Sequence, residues 1–80
     1  MNTRMIDSST LNDTVNKWLE NGSIIETFTN HGDGIAAQVI ESSGNYYVTV
    51  LDTDCGNYVN SFRKYTEKAK AIAYAQLCVL

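Results

Sequence analysis

The side chains able to do chemistry are few: one histidine, two cysteines and nine carboxylates, in no familiar catalytic spacing. His31 stands in Asn30-His-Gly-Asp-Gly34 with Asp33 close in sequence. Nucleophilic catalysis needs a base beside its nucleophile and a third group to orient the base. Cys55 belongs to a different turn and Cys78 lies near the end of the chain, and no spacing draws either toward His31. An exposed loop histidine is the expectation. Asp52-Thr-Asp54 pairs two carboxylates but lacks the further oxygen ligands and closing glutamate of a calcium loop. It reads as a hairpin turn closed by Asx bonds. Two cysteines and one histidine do not make up the four ligands of a structural zinc. Gly32-Asp-Gly34 precedes no helix start, so it is a turn and not a phosphate cradle. The residues therefore predict no enzyme, no metal and no cofactor.

The elements that carry these residues follow from the hydrophobic periods. Eighty residues without proline allow one domain over residues 1–80. At that size folding buries only about 60–65% of the unfolded chain's surface. No apolar run approaches the roughly 20 residues that span a bilayer, and MNTRMIDSST lacks a signal segment. A cytoplasmic protein without a membrane partner is expected, and two cysteines are too few for a small secreted disulfide scaffold.

Thr10 followed by Asp13 resembles a capping box, and Asn21-Gly22 supplies a stop, so a helix lies between them. Its apolar stripe is Leu11, Val15, Trp18 and Leu19, leaving Asp13, Asn16, Lys17 and Glu20 to water. Trp18 is assigned to the core. Four segments then change to strand character: SIIETFT, IAAQVIES, YYVTVLD and NYVNSFRKY. Their separators NHGDG, SGN and TDCG are hairpin-sized and contain glycine or asparagine, which predicts an antiparallel meander.

In the third strand Tyr46, Val48 and Val50 suit the core better than Tyr47, Thr49 and Leu51. In the fourth, Tyr58 and Phe62 alternate with Asn60 and Lys64 against Val59, Ser61, Arg63 and Tyr65, and the pattern does not resolve. Thr66 is placed as the N-cap of a last helix, with Glu67 in its first turn and a stripe of Ala69, Ile72, Ala73, Gln76 and Leu77. The expected architecture is α+β, in the order α-β-β-β-β-α, with both helices packed on one face of the sheet. The other face would meet water or a partner.

Charge is uneven. Residues 1–54 carry a net −6 and residues 55–80 a net +3, within a total of −3. The acids fall mostly on loops and strand ends. The cations gather as Arg63, Lys64, Lys68 and Lys70.

Two resemblances attach to the second half of the chain. The segment SFRKYTEKAKAIAYAQL is similar to the end of a double-stranded RNA-binding domain, where lysines at the start of the last helix grip phosphates across the major groove. That implies a phosphate-binding role for Lys64, Lys68 and Lys70, with Arg63 beside them. The longer segment YYVTVLDTDCGNYVNSFRKYTEKAKAIAYAQ resembles small acidic proteins of phages and mobile elements, among them anti-CRISPR proteins. That resemblance implies inhibition by binding, in which acidic side chains occupy a cationic surface that normally holds nucleic acid.

The expected partner is accordingly a host or defence nucleoprotein with a basic nucleic-acid-binding surface, and a homodimer is compatible with the sequence. The candidate partner-binding residues are Glu26, Asp33, Glu41, Asp52 and Asp54, with Tyr46, Tyr47 and Tyr58. Direct nucleic-acid binding through Arg63, Lys64, Lys68 and Lys70 is the alternative. The excess of carboxylates, which repels a phosphate backbone, favours the first reading.

Overall fold

The segment IAAQVI is apolar at both strand parities, and the fold uses both. The computed structural model describes residues 8–80, with residues 8–11 and 60–61 described at the backbone alone. Helix α1 runs Ser8–Glu20, followed by strands β1 (Gly22–Asn30), β2 (Ile35–Ser42), β3 (Asn45–Asp52) and β4 (Asn57–Tyr65), and helix α2 (Lys68–Cys78). The strands form one antiparallel sheet in the order β1-β2-β3-β4, as the short hairpin links predict. The β2–β3 link is a two-residue turn in which Ser43 (φ 53°) and Gly44 (φ 81°) both take positive φ. That conformation matches the right-handed twist of the flanking strands.

The helices do not share a face. Val15 of α1 packs on Ile40, with Trp18, Leu19, Tyr47, Tyr58 and Phe62 around them. Ala71 and Ala75 of α2 pack on Ala37, Val39 and Val48. Val39 and Ile40 are neighbours in one strand and so point to opposite sides of the sheet. The expectation of two helices on one face is therefore corrected: the sheet lies between them, and no sheet face is left open. The cause is chemical. A helix on one side alone would leave either Ala37 and Val39 or Ala36 and Ile40 in water, and all four are at most 5% exposed.

Other local expectations shift as well. Helix α1 begins at Ser8, so Thr10 lies within its first turn and is not its cap. The side chains of Thr10 and Leu11 lie outside the described ones. Val15 is buried, Trp18 and Leu19 are half-buried, and Asp13, Asn16, Lys17 and Glu20 are exposed, as the stripe requires. The α2 N-cap is Glu67 (φ −116°, ψ 126°) and not Thr66, with no side-chain capping bond. Its carboxylate instead meets Lys70 Nζ at 3.0 Å.

The buried stripe of α2 is Ala71 and Ala75, while Ala69, Ala73, Gln76 and Leu77 are exposed. Alanines at 69, 71, 73 and 75 give the helix no polar face to break the tie, so periodicity alone misplaces the stripe. Gly22 is fixed by crowding at the start of β1: a Cβ there would stand 1.8 Å from the Glu41 carbonyl oxygen.

Both outer strands are irregular. Ile25 is an extra residue in β1 between the pairs Ile24↔Ile40 and Glu26↔Val39. In β4, residues 59–61 stand opposite Val50 alone, between Thr49↔Phe62 and Leu51↔Tyr58. The excess of two residues keeps the side-chain parity, with Tyr58 and Phe62 on the α1 side and Tyr65 on the α2 side, so NYVNSFRKY names no single core face because both of its faces are packed.

Candidate functional site

Antiparallel alternation sends the β1–β2 and β3–β4 turns to the same end of the sheet, and local hydrogen bonds lock them together. In the first turn Asn30 Oδ1 accepts from the Asp33 amide at 3.0 Å, and Asn30 Nδ2 donates to Asp33 Oδ2 at 3.2 Å. The same Nδ2 donates to the Val79 carbonyl at 2.8 Å, which ties the C-terminal end of α2 to this turn. In the second turn the Asp54 amide donates to Asp52 Oδ1 at 2.9 Å, the Asx bond expected of Asp-Thr-Asp. The turns join where the Thr53 amide donates to the Gly34 carbonyl at 2.9 Å. Gly34 takes φ +67°, a left-handed conformation that strains any other residue, and its Cα lies close against the Asp54 carboxylate.

This end of the molecule presents Asp33 and Asp54 exposed and Asp52 half-buried. Neither turn contains a lysine or arginine. The carbonyl end of α2, where the helix dipole is negative, lies alongside. His31 and Cys55 are exposed in these same turns. Among the described residues no three His, Cys, Asp or Glu side chains converge closely enough to hold an ion. The aspartates thus form an acidic rim and not a coordination sphere.

The remaining predicted acids stand elsewhere. Glu41 is near the far end of β2, six residues from Ile35, or about 20 Å along the strand. Glu26 lies part-way along β1, opposite Val39.

Of the three candidate tyrosines, Tyr46 pairs with Glu41 across β2 and β3, while none belongs to the turns that carry Asp33 and Asp54. Tyr47 stacks on Trp18 (centroids 4.1 Å apart, planes 11° apart) and Phe62 meets Trp18 edge-on at 4.9 Å. Tyr58 donates its hydroxyl to Gln38 Oε1 at 2.6 Å on the same side of the sheet. Tyr46 faces α2, opposite Tyr65, which lies 6.0 Å from the Tyr74 ring.

The four cations are likewise divided. Arg63 pairs across the ladder with Val48 and sits on the α2 side, whereas Lys64 pairs with Tyr47 on the α1 side. Lys68 and Lys70 are two apart on a helix, a spacing that does not bring side chains together. Lys70 is also engaged by Glu67.

Three residues matter that the sequence reading passed over. Asn30 links turn to helix. Asn12 joins α1 to β4, accepting from the Tyr58 amide at 3.3 Å and donating to Asn57 Oδ1 at 3.2 Å. Tyr74 carries the Arg63 guanidinium over its ring at 4.8 Å. An asparagine closing a strand before a glycine-rich turn is a recognisable signal for the first. Tyr74, the one aromatic within the α2 alanine run, is the signal for the third. Side-chain hydrogen bonding with Tyr65, then the nearby Tyr74, hold the Arg63 pKa above its ordinary value.

Burial also pushes the Tyr58 phenol above its ordinary pKa. Folding therefore favours the neutral phenol. That stabilisation is fully present below about pH 10 and is lost as pH rises through the raised value. Tyr58→Phe is expected to cost about 1 kcal/mol at neutral pH by leaving Gln38 Oε1 unpartnered. The gap in melting temperature between wild type and variant should narrow above pH 10, and a gap independent of pH would contradict the assignment.

No helix among the described residues is long and apolar enough to cross a membrane. No family model, no curated protein and no solved structure matches this chain.

Proposed function

We propose that this protein is a non-enzymatic binding module, an inhibitor that sets its acidic hairpin end into the nucleic-acid-binding site of a host or defence nucleoprotein. The observation that carries the reading is the bond between the two turns, which holds Asp33, Asp52 and Asp54 at one end with no cation in either turn. Carboxylates fixed in this way meet arginines without losing the freedom a loose loop would lose, and their field speeds the encounter. Anti-CRISPR inhibition, the mode of the proteins the chain resembles, is the specific form proposed. The division of Arg63 and Lys64 between opposite faces weakens the alternative of a phosphate clamp, which needs its cations on one surface.

Asp52→Asn with Asp54→Asn tests the reading cleanly, because the asparagine Oδ1 still accepts the bond that closes the turn. Two charge-assisted contacts of about 1.5 kcal/mol each would be lost, so capture of the nucleoprotein should weaken by roughly 100-fold at low salt. Added salt should weaken the wild type in the same direction. Lys64→Gln, Lys68→Gln and Lys70→Gln together should change capture less than threefold. Tight binding of duplex RNA or DNA in a gel-shift titration, abolished in the lysine variant, would instead establish the phosphate clamp.

A further inference from the structure

Alanine at 71 and 75 lets α2 settle closely over β2 and β3, and its packing against β4 is weaker. The β4 irregularity opposite Val50 displaces that strand locally as well. Between α2 and the β3–β4 edge there remains a cavity of about 240 Å³, lined by Val48, Val50, Phe62, Arg63, Tyr74 and Cys78. This is room for about eight waters at about 30 Å³ each. Half-buried Val50, above the buried Val48, gives one wall an apolar surface, and Tyr74 and Cys78 of α2 form the other.

Arg63 is the only charged residue of the lining. Its guanidinium rests on the Tyr74 ring, and no carboxylate among the described residues lies within ion-pair distance of it. A guanidinium has five N–H donors in a rigid fork, and bonding with Tyr65 and stacking on the Tyr74 ring leave part of that edge for a ligand. The edge matches a carboxylate through two parallel bonds. We propose that this cavity is a binding site for a small free monocarboxylate with a compact apolar body, of the size of benzoate. The carboxylate pairs with Arg63, and the body lies against Val48 and Val50. The site faces α2 and shares no residue with the acidic hairpin end, so it stands independently of the inhibitor reading.

The test is an NMR titration of the ¹⁵N-labelled protein with benzoate, and with benzyl alcohol and benzylamine as shape-matched controls. Saturable shifts at the Val48, Val50 and Tyr74 amides are expected with benzoate alone. Arg63→Gln should weaken them at least tenfold, and Arg63→Lys, which keeps the charge but not the fork, should weaken them by less. Cys78 gives a second readout in a Cys55→Ser background, where it is the single thiol. At about four times its Kd, benzoate should slow Cys78 alkylation about fivefold, since one site in five is then open. Shifts that fail to saturate, equal effects from the alcohol, or full benzoate binding by a folded Arg63→Gln protein would each overturn the proposal.

Discussion

Trp18→Ala is expected to remove about 3–5 kcal/mol of stability, the cost of deleting a large aromatic from a packed cluster. The ring lies flat on Tyr47 at 4.1 Å and receives the edge of Phe62 at 4.9 Å, so two aromatic pairs vanish together with the buried area. Among the described side chains, Val15 and Leu19 of α1 would then remain packed on that face. For a domain of this size each kcal/mol is worth about 4–8 °C, so the melting temperature should fall by roughly 15–30 °C. Trp18→Phe keeps a stacked ring and should recover more than half of the loss. A thermal scan followed by far-UV circular dichroism measures both. A melting temperature for the alanine variant within a few degrees of wild type would show that α1 is not held by this cluster.

The second large effect separates two ways of reading the last helix. Ala75 is 0% exposed against Ala37, Val39 and Val48, with no room above the sheet. Ala75→Leu must lift the helix or strain its rotamers, at an expected cost of about 2–3 kcal/mol or roughly 10–20 °C in melting temperature. Ala73 is exposed, and Ala73→Leu should change stability by less than about 0.5 kcal/mol. The opposite ranking would restore the stripe through Ala69, Ala73 and Leu77 that periodicity suggests. Denaturant melts of the two variants, compared by midpoint at equal slope, decide between them.

That pair of alanines also shows where the sequence stops being legible. Element order, strand limits and the antiparallel meander follow from glycine-bearing turns and β-branched runs, and the structure has them within one or two residues. Which face a helix covers depends on contrast between apolar and polar positions. KAKAIAYAQLC has too little contrast, because alanine fits either environment. The one-sided sheet is a different kind of error. IAAQVI and YYVTVL are apolar at even and odd positions alike, the mark of a strand covered on both faces, and choosing one parity as the core discards it.

For the candidate site, the Asx closure of Asp52-Thr-Asp54 was readable because it is local. The bond from Thr53 to Gly34 joins residues 19 positions apart and needs the sheet to exist first. Arg63 over Tyr74 is likewise a tertiary event, set by strand alternation on one side and helix phase on the other.

The two irregular outer strands bear on how the chain behaves in company. A sheet with two free edges is a template on which another copy can grow, strand upon strand, and at high concentration that route ends in fibres. Here an incoming strand at β1 would have to match the extra Ile25, and at β4 the three residues opposite Val50. Neither border offers a full-length straight ladder, so the backbone is a poor seed for self-propagating assembly. Recognition is left to side chains, which choose their partners by chemistry and not by the backbone pattern that every strand shares.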